Sequence, residues 1–236
     1  MVKRELLYEG KAKKVYATDD PDLVIVDYKD DATAGNGAKK GTIRGKGVVN
    51  NKVTNSLMRM LEKEGVPTHF VEELSDRETA VKRVSIVPLE VIVRNAAAGS
   101  FSARFGVAEG ARFDQPTLEY SLKDDALGDP LINHSQALAL KVATVEEMKT
   151  IDAYAFRANE VLRKYLKQYN IDLIDFKLEF GRLPGGAIVL ADEISPDTCR
   201  FWDAATGAHL DKDLFRRDLG GEVEAYQEVM KRLLGE

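Results

Sequence analysis

The segment Leu173-Ile174-Asp175-Phe176-Lys177-Leu178-Glu179-Phe180 constrains the fold more than any other part of the chain. From Ile174 onward apolar and charged residues alternate strictly. Strand side chains point to opposite faces in turn. Phe176, Leu178 and Phe180 therefore share an apolar face, and Asp175, Lys177 and Glu179 share a charged one. The apolar face has to pack on a core; the charged face lines either solvent or a site. Shortly after it, Gly185-Gly186 reads as a two-residue hairpin turn into a second β-prone run at 188–194. That register sets Glu179 directly opposite Asp192. Two carboxylates so placed repel each other. A divalent cation between them would turn repulsion into binding, and Mg²⁺ held by one or two carboxylates plus phosphates is common in ATP sites. An exposed hairpin with solvated charges, neutralised by Lys177, is the other reading of the same residues.

Around this hairpin, strands and helices follow one another without regular alternation. Short β-prone runs at 6–8, 14–16 and 23–28 are separated by Gly10 and by Asp19-Asp20-Pro21-Asp22. Five glycines between 35 and 47 predict a mobile loop. Val49, Val53, Leu57 and Leu61 recur at helical spacing, ended near Gly65 and Pro67. Residues 70–74 and 78–84 are candidate strands, and 85–94 reads as a strand buried on most of both faces. Thr144-Val145-Glu146-Glu147 is a capping box that opens a helix running to about Tyr169. A last helix covers about 221–234. This order predicts an α+β fold of two lobes: an antiparallel β-rich N-terminal lobe, 1–83, and a larger α+β lobe, 84–236.

Composition narrows the function classes. Cys199 is the only cysteine, so a disulfide scaffold or a cysteine-cluster metal site is ruled out. His69, His134 and His209 are too far apart in sequence to suggest a zinc site. No run of about 18 apolar residues predicts a membrane span, and the N-terminal apolar stretch is too short for a secretory signal; a cytoplasmic protein is expected. The net charge is −5, yet residues 1–60 hold 12 Lys/Arg against 8 Asp/Glu, so they carry +4 and the remainder −9. An acidic chain with a locally basic section argues against bulk nucleic-acid binding and fits a site for a small anion such as phosphate.

Three further segments offer such a site. Gly10-Lys11-Ala12-Lys13-Lys14 lies between two short strands, where glycine permits a tight turn and the lysines supply point charges to phosphates. Arg94-Asn95-Ala96-Ala97-Ala98-Gly99-Ser100 follows the 85–94 strand; Ser100 is placed to cap a short helix through Arg104, and Arg94 to make a bidentate anion contact. The stretch from Ser195 to Arg217 adds Arg200, Lys212 and Arg216. Each also has a plain reading, as a solvated basic turn, an N-cap or surface charge. Cys199 has no histidine partner nearby and is read as a bystander. Dinucleotide, Walker and nucleophile-elbow motifs are absent.

Five stretches, in order, resemble the phosphoribosylaminoimidazole-succinocarboxamide synthase (SAICAR synthetase) family. They are Tyr8-Glu9-Gly10-Lys11-Ala12-Lys13, Arg94-Asn95 with Ala98-Gly99-Ser100, Lys123-Asp124-Asp125-Ala126, Asp175 through Gly181, and Asp192-Glu193-Ile194-Ser195-Pro196-Asp197. The resemblance covers nearly the full length. It implies a fold distantly like kinases and ATP-grasp enzymes, with ATP in the cleft between lobes. It also implies an ATP-dependent ligase of purine biosynthesis that joins the carboxylate of carboxyaminoimidazole ribonucleotide (CAIR) to the amine of L-aspartate.

The implied roles follow position by position. Gly10, Lys11, Ala12 and Lys13 cover the ATP phosphates, and Val15, Lys82 and Val84 border adenine. Glu179 and Asp192 hold Mg²⁺. Arg94, Ser100, Arg200 and Arg216 hold CAIR. Lys177, Asp175 and Lys123 serve the reaction itself, and the 35–47 loop closes over the substrates. A homodimer is implied as well, with small-molecule substrates as the only other partners. Two other readings stay open: a small-molecule kinase of related fold, and a nucleic-acid-binding protein using Lys39, Lys40, Arg44, Lys46 and Lys52.

Overall fold

The computed structural model describes residues 1–35 and 37–235; Asn36, inside the predicted glycine-rich loop, lies outside the described residues. The chain opens with β1 (Lys3–Glu9), β2 (Lys13–Thr18) and β3 (Leu23–Tyr28). A small hairpin of β4 (Asp31–Ala34) and β5 (Lys39–Thr42) leads into α1 (Lys46–Lys63). Then come β6 (Phe70–Glu73) and β7 (Glu78–Lys82). These build an antiparallel five-stranded sheet in the order β1-β2-β3-β7-β6, with the β4–β5 hairpin outside it.

The rest comprises β8 (Ser85–Ile86), β9 (Leu89–Ala96), α2 (Ser100–Phe105), β10 (Arg112–Leu122), β11 (Leu131–Ile132), α3 (His134–Ala139) and α4 (Val145–Lys167). It closes with β12 (Ile171–Arg182), β13 (Ile188–Ala191), β14 (Cys199–Asp203), α5 (Asp213–Arg216) and α6 (Glu222–Leu234). Here the order is β11-β10-β9-β12-β13, and β8 and β14 also pair with β12. The predicted α+β class holds.

β12 is the hub of this second sheet. Phe176, Leu178 and Phe180 are buried in the main apolar cluster, as alternation requires, together with Val49, Val53, Leu57 and Leu61 of α1 and Leu162 and Leu166 of α4. α1 therefore belongs to the core of the second sheet as much as to the first. Its inward side also buries polar groups: Asn51 and Asn55 hydrogen-bond Thr79 of β7, and Lys46 is wholly enclosed. The capping box forms, with Thr144 Oγ1 accepting from the Glu147 amide and Glu147 returning the bond.

Four expectations need correction. The hairpin after β12 has a three-residue loop. Leu183 pairs with Ala187, its carbonyl accepts from Gly186 N–H at 2.8 Å, and Gly186 takes the left-handed conformation (φ 84°) that closes such loops. Pro184 favours the first turn position, and this moves the register by one residue: Glu179 faces Ala191, not Asp192. The 85–94 strand is broken at Val87-Pro88, where proline has no N–H to give; β8 and β9 both lie along β12 with a shift between them. Ser100 does not cap α2, whose N-cap is Gly99 with no side-chain cap. Residues 39–42 pair with 31–34, and α1 begins at Lys46, so the glycine-rich segment is not a loop throughout.

Candidate active site

Asp175 lies between its two neighbours in register, opposite Arg94 of β9 on one side and Arg200 of β14 on the other. Both arginines turn onto its carboxylate. Arg94 Nη1 donates to Oδ2 at 2.5 Å, and Arg200 Nη1 donates to Oδ2 at 2.9 Å and Oδ1 at 3.1 Å. Arg94 is further held by Glu119 at 3.0 Å and by Ser100 Oγ at 3.2 Å, the bond that takes Ser100 away from the predicted cap role. Arg200 Nε and Arg216 Nη1 share the two oxygens of Asp213, at 2.8 and 2.6 Å. Arg94, Ser100, Asp175, Arg200 and Arg216 line a cavity of about 370 Å³ together with Lys177, Lys212 and residues 33–35 at the hairpin end. Three guanidinium groups in fixed orientation suit a phosphate or carboxylate ligand.

A second cluster adjoins it along the same strand face. Lys177 Nζ donates to Glu179 Oε1 at 2.5 Å and to Asp192 Oδ2 at 3.5 Å, and stands 3.5 Å from Glu90. Lys123 reaches the same Glu179 oxygen at 2.8 Å. From the other sheet Lys13 hydrogen-bonds Asp192 Oδ1 and pairs with Glu193 at 3.0 Å. The lost strand pairing of Glu179 with Asp192 is thus replaced. Asp192 follows β13 in a left-handed conformation (φ 58°) and meets Glu179 through Lys177.

Burial opposes the charge on Lys177, but Glu179, Asp192 and Glu90 outweigh it and raise its pKa. Lys13 is raised in the same way by Asp192 and Glu193. Burial would raise Asp192; Lys13 and Lys177 overcome it and hold the carboxylate below its usual range. These lysines are fixed cations at neutral pH and cannot serve as bases. The Cys199 thiol is pushed up by burial, so the bystander reading stands.

Glu179 and Asp192 converge on one ammonium, Lys177 Nζ, and are hard oxygen donors with Lys13 and Lys123 beside them. That donor set fits Mg²⁺ shared with phosphates. Of the proposed nucleotide residues, Lys11 reaches the cavity wall and also pairs with Asp125 at 2.6 Å. Gly10 and Ala12 shape its turn, Gly10 N–H donating to the Lys13 carbonyl. Val15 packs on the apolar cluster of the first sheet, Lys82 Nζ donates to the Thr68 carbonyl, and Val84 packs on Gly181. Those three do not line the cavity.

Comparison with known proteins decides the family. The SAICAR synthetase family model matches residues 6–233. A phosphoribosylaminoimidazole-succinocarboxamide synthase of Lachnoclostridium phytofermentans is 64% identical over 233 residues, 99% of each chain. The chain belongs to the SAICAR synthetase family. The crystal structure of the Ehrlichia chaffeensis synthase superposes with a TM-score of 0.95 at 43% identity, covering 97% of this chain and 98% of that one. A SAICAR synthetase solved in complex with ADP also gives 0.95, at 46% identity and 98% of both chains. No helix among the described residues is long and apolar enough to cross a membrane.

Within this SAICAR synthetase frame, the sequence reading passed over several groups that complete the site. Asp197 is buried and accepts from Lys46 at 2.9 Å, from Lys212 at 3.3 Å and from the Tyr226 hydroxyl. Glu90, Glu119 and Asp213 were equally silent. Asp197 stood in a recognised stretch, and Lys46 begins a helix; nothing local says that they meet across 151 positions.

Proposed function

We propose that this chain joins the CAIR carboxylate to the amine of L-aspartate at the expense of ATP, giving SAICAR, ADP and phosphate. Two adjoining anion sites on one strand face carry the reading: the arginine cavity around Asp175 and the lysine–carboxylate cluster around Glu179. A carboxylate is a poor acyl donor because its leaving group would be oxide. Transfer of the γ-phosphoryl group to a carboxylate oxygen makes an acyl phosphate and ADP. The aspartate amine then attacks the acyl carbon, the amide C–N bond forms, phosphate leaves and the amine proton passes to solvent. Such chemistry depends on placement and charge neutralisation, and needs no protein nucleophile.

Arg94, Ser100, Arg200 and Arg216 bind CAIR, with Asp175 holding two of the guanidinium groups in place. Lys11 and Lys13 meet the ATP phosphates from the Gly10–Lys13 turn, with Val15, Lys82 and Val84 on the adenine side. Lys177, already charged, and Lys123 offset the negative charge of the transferring group. Glu179 and Asp192 would hold Mg²⁺, which supplies further charge neutralisation to the phosphates. The β4–β5 hairpin, at the cavity wall, excludes water that would hydrolyse an acyl phosphate. The resemblance also supports a cytoplasmic homodimer acting on small molecules and not on nucleic acid.

Coupled ADP release with Mg-ATP and CAIR, with and without L-aspartate, tests this. ADP formation that requires both substrates and yields the succinocarboxamide is expected. Sustained ADP release with CAIR alone, giving a stable phosphorylated product, would replace the ligase by a kinase.

Gly99→Ala tests the CAIR assignment. Gly99 has φ 52°, and a Cβ there would stand 2.8 Å from Arg200 Cζ. The added methyl displaces Arg200 from Asp175, and KM for CAIR should rise about tenfold, the effect of roughly 1.4 kcal/mol. An unchanged KM in steady-state kinetics would place CAIR elsewhere.

A further inference from the structure

Behind the arginine cavity sits an acid that the mechanism does not use. Asp211 is completely buried. Its Oδ1 accepts the Asp213 backbone N–H at 2.8 Å, while its Oδ2 is buried with no hydrogen-bond partner among the described residues. His209 Nδ1 is likewise buried without a partner, and its ring packs edge-on against Trp202 at 5.1 Å. One ligand-type atom from each of His209, Asp211 and Asp213 falls within 4.8 Å of the other two. A cation is a poor occupant, because both Asp213 oxygens are already taken by Arg216 and Arg200, with Arg217 3.4 Å away. An unpaired carboxylate oxygen in such a place is instead satisfied by a proton.

We propose that Asp211 is a proton-gated positioning residue for the anion site. Protonated, it aligns Asp213 through Oδ1 without adding charge, and leaves Arg200 and Arg216 free to attract CAIR. Ionised, it puts a second carboxylate behind Asp213, and part of the guanidinium charge is spent inward. The proposal rests on the reading of this cavity as the CAIR site. The groups facing Asp211 are Asp213 and Arg216 of α5, Arg200 of β14, Tyr226 of α6 and neighbouring His209. Burial, then the Asp213 charge, raise the Asp211 carboxyl to about 7 against the pull of Arg200 and Arg216. His209 is shifted down by burial.

The sign follows from linkage. A carboxyl whose folded pKa lies above its unfolded value stabilises the fold at low pH, and that contribution is lost as pH rises through the folded value. By the same linkage, proton and CAIR favour each other's binding.

The test is KM for CAIR between pH 6 and 8.5 in the wild type, Asp211→Asn and Asp211→Ala. CAIR's own phosphate titrates near the lower end of this range, identically for all three proteins. The wild-type KM should rise about fivefold relative to Asp211→Asn across the interval, a typical coupling between linked sites. Asp211→Asn keeps an acceptor for Asp213 N–H and should show only the pH dependence that the CAIR phosphate gives all three proteins. Asp211→Ala loses that acceptor and should show a raised KM at every pH, with kcat less affected.

Parallel profiles for the wild type and Asp211→Asn would overturn the proposal, as would an Asn variant as impaired as the Ala variant at pH 6. Melting temperatures of the wild type and Asp211→Asn without substrate read the ionisation independently, and the wild type should lose ground as pH rises from about 4 to about 7 and level off above that. A wild type with no CAIR-dependent ADP release would fail the ligase reading, while the melting comparison still decides whether Asp211 titrates there.

Discussion

Lys177→Met should lower kcat by about 10²- to 10³-fold, the loss seen when one fixed donor to a developing charge is removed. Lys177 touches Glu179, Asp192 and Glu90, and no other cation among the described residues reaches all three. Methionine keeps the apolar stem and removes only the ammonium. What is lost is the tie between Glu179 and Asp192 and, on the proposed mechanism, the charge that faces the transferring phosphoryl group. KM for CAIR should change less, because Arg94, Arg200 and Arg216 remain on Asp175 and Asp213. The raised pKa of Lys177 means that no loss of its proton accompanies activity near neutral pH. Steady-state ADP release, with circular dichroism to confirm folding, measures the effect. A kcat within threefold of wild type would remove Lys177 from the chemistry.

Asp197→Asn should be the most damaging substitution for stability, at about 3–5 kcal/mol, the cost of leaving a buried charge without its partner. In a chain of this size that is roughly a 10 °C drop in melting temperature. The stranded partner is Lys46, with 0% side-chain exposure; Lys212 loses its carboxylate too, and the single amide oxygen of asparagine cannot serve both Tyr226 and the two lysines. Lys46→Met combined with Asp197→Asn should lose less than the sum of the single changes, by about 2 kcal/mol of coupling. Additive losses would show the pair to be independent. Burial would raise the Asp197 carboxyl, but Lys212 and Lys46 hold it well below the usual range. Its contribution is therefore complete above the ordinary aspartate pKa of about 4 and disappears as pH falls below that. Acid titration of the wild type against the double variant should show this difference.

Much of the site was legible because β12 writes it in one short stretch. Asp175, Lys177 and Glu179 had to share a face, and they do line one side of the strand, beside Arg94, Arg200 and Lys123. The turn was misjudged by one residue because Gly185-Gly186 looks like a two-residue loop, and Pro184 extends it to three. The carboxylates still converge, through a left-handed Asp192 that no alternation rule foresees. β10 was missed for a different reason: Pro116 and a run of polar residues hide it, and the structure has a register irregularity there, between Arg112 and Thr117. The Lys46–Asp197 pair gives no local sign because a buried charge is recognised by its partner, and these partners lie 151 positions apart; Asp211 gives none because its burial is set by the elements that pack around it.

Arg94, Asp175 and Arg200 occupy one rung across three adjacent strands. A one-residue slip in β12 would send Asp175 to the apolar side and bring Ile174 or Phe176 between the two arginines. Substitutions within the rung weaken recognition by degrees; a single inserted or deleted codon within these strands removes it at once. Variation in this enzyme should therefore tolerate changes of residue within β9, β12 and β14 far better than changes of length, and the room for length lies in the turns.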